Sequence, residues 1–380
     1  MVSSSALRRV DSGWGILLLA LVLQLPLILN PGYFSHDELQ WATQSYLRAF
    51  NEIDWINPLD IQTFQYRPLT FNLWMLLSYL FFGMPLLMHG FQALFAAGIL
   101  LLLYRLMGHY GIAGRHRWLA CLLWLCVPYV VYVNGWVGTF GDQIWLAAGI
   151  GMLISCFRTD TNTSHIRPLL AGFAATWIGL LAKESALVIP AFLLAHAVLF
   201  AEHRRIFVWA TIGASLGAGI YLALRLKIIL AGAEASGAYQ PTWFDMPVRI
   251  AEYWTYPATL QRLEPFGVFL DKSSRVNWSL GTLLLATLAL LVTRWRHLVA
   301  VVILSAIALG PTLVLAYTAP QYAYGFSAVV VVVLAHASRS MPKWALFMVL
   351  PWVALTATHG VHVLQALHAA GQVQSVCCPR

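Results

Sequence analysis

The sequence predicts an all-α polytopic membrane protein, and three observations carry that reading. Apolar residues make up 60% of the 380-residue chain and charged residues only 10%, against about 25% charge in soluble chains. The mean hydropathy is +0.71. Apolar runs of roughly 15–23 residues recur along the chain, the length a helix needs to cross a bilayer. A helix satisfies its own backbone polar groups, which a bilayer demands of any spanning segment. The alternating pattern of a transmembrane barrel is absent.

The runs place about 11 spans, near 14–30, 85–107, 118–133, 143–157, 169–182, 185–200, 207–224, 278–293, 298–317, 322–337 and 344–360. The run 69–82 is left out: it is short, and counting it would invert every later loop. With the N-terminus inside, Arg105, Arg115, Arg117, Arg158, Arg167, Arg204, Arg205, Arg294, Arg296, Arg339 and Lys343 all fall on the inner face. Most carboxylates fall outside. This is the basic-inside asymmetry that orients membrane proteins, and it makes a single transmembrane domain of the whole chain, 1–380. Its outer parts are a first loop at 31–84, a second at 225–277 and a tail at 361–380. The net charge of +8 is scattered in small loop clusters, so it reads as a topology signal and gives no case for nucleic acid. Arg8 and Arg9 precede the first run, and Asn30-Pro31-Gly32 makes a poor cleavage site, so that run reads as an uncleaved anchor. The five Cys show no metal-ligand spacing.

The first outer loop holds the densest polar chemistry. Ser35-His36-Asp37-Glu38 reads as a helix start, with Ser35 as the cap and Glu38 reaching back to complete a capping box. Leu39, Ala42, Tyr46, Leu47 and Phe50 then give one apolar face to lie on the membrane surface. Asp37 points off the helix start at the membrane edge, where a base can meet a lipid-linked substrate. A second juxtamembrane helix starts at Arg67-Pro68, with Pro at its first position and Gly83 ending it. Arg67 sits at the positive end of that helix dipole, which favours a bound anion beside it.

Further along, Asp142 opens a span after a tight turn, and Lys183-Glu184 interrupts the long apolar run 169–200. Adjacent residues do not share a helix face, so Lys183 and Glu184 are expected to have different partners: a phosphate oxygen for Lys183, a basic residue for Glu184. The 225–277 loop is rich in aromatics (Tyr239, Trp243, Phe244, Tyr253, Trp254, Tyr256), which suits an interfacial belt. His359, His362 and His368 read as a polar stripe on a fraying terminal helix.

These segments resemble the GT-C class of integral membrane glycosyltransferases, and in particular the protein O-mannosyltransferases, the tetratricopeptide-tailed O-mannosyltransferases and the aminoarabinose lipid A transferase group. The matching pieces are SHDE (35–38), YRPLTFNLWMLLSYLFFG (66–83), His89, VNGWVGTFGD (133–142), LLAKESALVIP (180–190) and APQYAYGFSA (319–328). The resemblance implies a GT-C-like bundle with two juxtamembrane helices in the first outer loop. It implies transfer of a sugar from a polyprenyl-phosphate sugar to a glycan, lipid or protein acceptor, with inversion. Asp37 matches the catalytic acid, with Glu38 beside it. Arg67 and Lys183 match positions near the donor phosphate, Asp142 and Glu184 are further site acids, and His36, His89, Gln321 and Tyr322 are polar candidates. Gln321 stands where a basic residue often precedes the late Tyr-x-Tyr segment. No cofactor is required; a divalent metal on Asp37 and Asp142 is compatible with the chemistry. The expected setting is a bacterial inner membrane with the site facing the periplasm or exterior. The competing classes are a transporter or flippase and a non-catalytic assembly subunit for lipid-linked sugars.

Overall fold

The structure, a computed structural model, describes residues 13–63, 65–160, 164–236, 240–260 and 274–377. Arg8, Arg9, Asp11, Tyr239, Glu264 and Asp271 lie outside the described residues, as do the side chains of His36 and Glu234. Among the described residues fifteen α-helices follow in order: α1 (Gly13–Leu23), α2 (Leu25–Ile28), α3 (His36–Ser45), α4 (Pro68–Phe81), α5 (Pro85–His109), α6 (Gly114–Leu125), α7 (Pro128–Gly135), α8 (Phe140–Arg158), α9 (Ile166–Ala182), α10 (Ile189–Leu199), α11 (Arg204–Ser236), α12 (Met246–Thr255), α13 (Ser274–Leu309), α14 (Tyr324–Ser338) and α15 (Lys343–Cys377). Short 3₁₀ turns join several of them, and the described residues contain only an isolated β-bridge, Pro241 to Leu315.

Six described stretches are long and apolar enough to cross a membrane, and α6 with α7, bent by 64°, makes a seventh if taken as one span. Shorter apolar helices include α1, α4 and α9. The all-α membrane class therefore stands, and most of each expected apolar run is helical, although the run 298–317 leaves its helix at Leu309. The bend between α6 and α7 has a simple cause. Pro128 opens α7, and the residue before a proline is pushed out of the helical region, as Val127 is (φ −68°, ψ 130°).

Three segments differ from expectation. The runs 278–293 and 298–317 share one long helix, α13, broken at Arg294, whose backbone is non-helical (φ −147°, ψ 47°); its guanidinium donates to the Ser340 carbonyl. Helix α11 runs through to Ser236, so the second outer loop begins later than 225. The terminal helix does not fray at 361. It continues to Cys377, with His359 fully buried and hydrogen-bonded to the Tyr256 carbonyl at 3.0 Å, while Asn30 donates to the Leu367 carbonyl at 3.1 Å. Tertiary partners, invisible in a composition count, hold it. The loop aromatics likewise split: Tyr253 and Tyr256 are core residues, while Trp243 and Phe244 are exposed.

Helices α9 and α11 pack backbone to backbone, and small residues explain it. A Cβ on Gly172 would collide with the Ala210 carbonyl, and one on Gly213 with the Leu169 carbonyl. Gly213 and Gly217 form a small-xxx-small stripe, which lets two backbones approach where lipid offers no hydrophobic drive for helix association. Gly213→Val is expected to lower stability by about 1–3 kcal/mol through overpacking, read as a fall in the melting midpoint of the purified protein. Gly219→Ala, at a position with nothing within 4 Å of a new Cβ, should leave that midpoint close to wild type.

Candidate active site

Four charged side chains converge where α4, α8 and the break after α9 meet. The backbone of Lys183 is extended (φ −163°, ψ 142°) and ends α9. Its ammonium donates to both oxygens of Asp142, at 2.6 and 2.5 Å. Both side chains are buried, at 8% and 2% exposure. Next to them, Arg67 Nε and Nη2 each donate to Glu184 Oε2 at 2.9 Å. Arg67 lies within electrostatic reach of Asp142 and Lys183. Lys183 also sits 5.1 Å from the centroid of the Tyr322 ring, a cation–π geometry.

The local chain explains the convergence. Pro68 opens α4, so Arg67 is its cap residue. One turn on, Thr70 Oγ1 donates to the Ala182 carbonyl at 2.7 Å. A Cβ on Gly141 would lie 2.8 Å from both that carbonyl and Thr70 Oγ1, so only glycine lets the start of α8 come this close. Lys183 and Glu184 thus face different partners, as adjacent residues at a break should. The cation expected to hold a phosphate oxygen, Lys183, is already committed to Asp142. The reason is energetic: a lone buried ammonium costs several kcal/mol unless it is paired.

The α3 acids take separate parts. Glu38 is 1% exposed and completes the capping box with Ser35. Its carboxylate accepts from the backbone N–H groups of Phe34 (2.7 Å), Ser35 (2.9 Å) and Val137 (3.1 Å). Glu38 is therefore a clamp between the helix start and the turn before α8, rather than a group open to substrate. Asp37 is half-buried at the second position of α3. The hydroxyl of Tyr132 on α7 feels the charges of Glu38, Asp37 and Asp142 together, which ties the α3 acids to the charged cluster. Stacking fixes α3 on α4: Trp41 lies 4.7 Å from Phe71 and 4.8 Å from Trp74, centroid to centroid.

The remaining candidates are anchors or neighbours. His89 Nε2 meets the Gly32 carbonyl at 2.9 Å, which fixes the entry to the first loop. Gln321 is buried beside Tyr322, and only Tyr322 touches the cluster. His36 lies in α3 with its side chain outside the described residues. Asp142 gives both oxygens to an ammonium, and no three His, Cys, Asp or Glu among the described residues converge as metal ligands do. The donor set does not fit a divalent metal on Asp37 and Asp142. Sequence reasoning missed Arg225. It is 1% exposed on α11, packs over the rings of Tyr66 (4.7 Å) and Tyr221 (5.7 Å), and donates to the Ile61 carbonyl. Tyr221 feels both Glu184 and Arg67, so Arg225 borders the cluster. Its one available signal was its place, a base at the outer end of the apolar run 207–224.

Comparison of the chain with protein-family models, curated proteins and solved structures gives no match. What fold and site define together is an all-α protein with helices suited to a membrane and a paired-charge cluster at one end of its bundle.

Two expectations follow. Burial pushes the Glu38 carboxyl up from 4.5 to about 7, the Asp37 charge adding to it and the three N–H bonds opposing it. The folded state holds a proton that the unfolded chain releases between those values. The stability from this group is full below about pH 4.5 and is lost as pH rises through about 7, a change of about 3 kcal/mol. Denaturation at pH 5 and pH 8 should show that loss in wild type and not in Glu38→Gln. For the buried pair, Asp142→Ala or Lys183→Ala alone should cost about 3–5 kcal/mol by stranding a charge, and the double variant less than the sum; melting curves of the three variants measure it.

Proposed function

We propose that the protein is a polyprenyl-phosphate-sugar-dependent glycosyltransferase of GT-C type, a bundle of about 11 membrane helices working at the acid-rich outer face of a bacterial inner membrane. The observation that carries the reading is the partly exposed Arg67 at the N-terminus of α4, paired with Glu184 and set beside the buried Asp142–Lys183 pair. Arg67 is partly exposed while paired with Glu184, and a guanidinium suits the planar oxygens of a phosphate as well as a carboxylate. The α4 dipole favours an anion at the same point.

In this reading the lipid tail lies among the apolar spans and the phosphate meets Arg67. Lys183, more deeply buried, acts at one remove and sets the local field. Asp37 takes the proton of the acceptor hydroxyl or amine. The acceptor oxygen or nitrogen bonds to the anomeric carbon from the face opposite the phosphate, which inverts it. The bond from that carbon to the phosphate oxygen breaks, and the electron pair leaves with the polyprenyl phosphate. The leaving group is already a phosphate, so no general acid is needed. Glu38, spent on three backbone N–H groups, orients Asp37 through the helix start.

A second reading has its own observation. Both cations are paired with carboxylates and Gln321 replaces a base, which also suits a non-catalytic assembly subunit that retained the fold. Turnover separates the two. Purified protein in lipid is incubated with a panel of radiolabelled polyprenyl-phosphate sugars and crude envelope acceptor. Wild type should transfer label, and Asp37→Asn should lose about 10²–10⁴ of the rate while still binding donor. Transfer unaffected in Asp37→Asn would move the base elsewhere. Donor binding without transfer by wild type across the panel would favour the assembly subunit or a carrier.

A further inference from the structure

A cavity of about 360 Å³ lies inside the bundle, one end of it at Trp145 beside the charged cluster. Its walls come from α5, α8, α10, α13 and α14, and most of its length is aliphatic, including Leu153, Leu193, Leu304 and Val332. At the site end it is roofed by Trp145 and Gly325. Trp145 stands one turn beyond Asp142, and a Cβ on Gly325 would overlap its indole. The indole of Trp145 therefore stands between Gly325 and Asp142. From Gly325 to His336 along α14 the cavity runs 11 residues, about 16 Å.

The far end is polar. His297 Nε2 meets His336 Nδ1 at 2.8 Å, and Tyr110 Oη meets His196 Nε2 at 2.7 Å; all four residues line the cavity. Among the described residues His297 Nδ1 is buried with no hydrogen-bond partner. Arg294 and Arg339 stand within electrostatic reach of the His297–His336 pair. His297, Ala300 and His336 are only half-buried and Leu199 is exposed, so this end opens sideways between α10 and α13, where a membrane protein faces lipid.

An aliphatic slot with imidazoles and guanidiniums at its open end complements a molecule with a hydrocarbon chain and one anionic head. We infer that this cavity binds an anionic phospholipid from the leaflet opposite the charged cluster. An acyl chain fills the slot toward Trp145, and the phosphate sits against His297 and His336 with Arg294 and Arg339 supplying positive field. The occupant is distinct from the donor of the proposed reaction, because its head group meets the polar end of the cavity, about 16 Å along α14 from Gly325. The inference stands whether or not the protein transfers sugar.

Native mass spectrometry tests it on the full chain, released from bilayers of mixed phosphatidylglycerol and phosphatidylcholine with identical acyl chains. Wild type should retain phosphatidylglycerol about tenfold over phosphatidylcholine, the effect of one charge-assisted hydrogen bond. Millimolar inorganic phosphate should not displace it, since the chain supplies much of the binding. His297→Leu/His336→Leu should abolish the head-group preference. Ala300→Trp, which fills the slot without touching a charge, should lose both lipids. Equal retention of the two lipids by wild type overturns the inference, as does a preference unchanged in the double variant. Displacement of phosphatidylglycerol by a polyprenyl phosphate in wild type, abolished by Ala300→Trp, would assign the slot to the donor instead and also overturn it. Should the double variant fail to fold, the wild-type lipid ratio and Ala300→Trp still decide.

Discussion

A buried ammonium has to be answered, and in this protein the answer organises the site. Lys183 stands where α9 ends, in extended backbone, with 7% of its surface exposed. Asp142, at the start of α8, gives it both carboxylate oxygens. Two helix ends that share no sequence neighbourhood are thereby brought together. In a low-dielectric surrounding, the attraction offsets the desolvation cost only when the geometry is this close. The same point draws in α4, because Gly141 admits the Ala182 carbonyl and Thr70 bonds to it. Arg67, one turn before Thr70, then falls beside Glu184, one residue after Lys183. Each charge in the cluster is placed by its neighbour's need for a partner.

Glu38 extends that logic to the juxtamembrane helix. A carboxylate at the third position of a helix ordinarily serves its own helix start. Here its second oxygen also takes the Val137 N–H, five residues before Asp142. Asp37, the neighbour of Glu38, is carried with it to the edge of the cluster. Glu38, with three backbone hydrogen bonds, is thus a positioning group, and Asp37 beside it is half-buried. Replacing Glu38 therefore disturbs the frame that holds the start of α3 against the turn before α8.

Helix association supplies the rest of the scaffold. Lipid gives helices no hydrophobic reason to pack on each other, so close backbone contact and hydrogen bonds must do it. Glycine against carbonyl recurs at α9 on α11 and again at Gly360 against the Cys126 carbonyl. The second contact falls next to the α6–α7 bend, so the terminal helix supports a backbone that Pro128 has broken. Asn30 ties α15 to the start of the first loop, and His359 ties it to the Tyr256 carbonyl. Scaffold and first loop are thereby connected through α15.

Much of this was legible in the sequence. Length of apolar runs, scarce charge and basic clustering determine an all-α membrane chain, because the bilayer allows few alternatives. Local rules also reached single residues: Ser35 and Glu38 form the capping box, Pro68 opens α4, and Lys183 and Glu184 divide their partners. Those features depend on neighbours within a few positions. What the tertiary structure alone decided depends on residues far apart in the chain: that Lys183 is already paired, that Glu38 reaches Val137, that Arg225 borders the site, and that α15 holds to its end. A pattern read along the chain reports which groups are costly to bury. Which distant group meets that cost is set only when the helices pack.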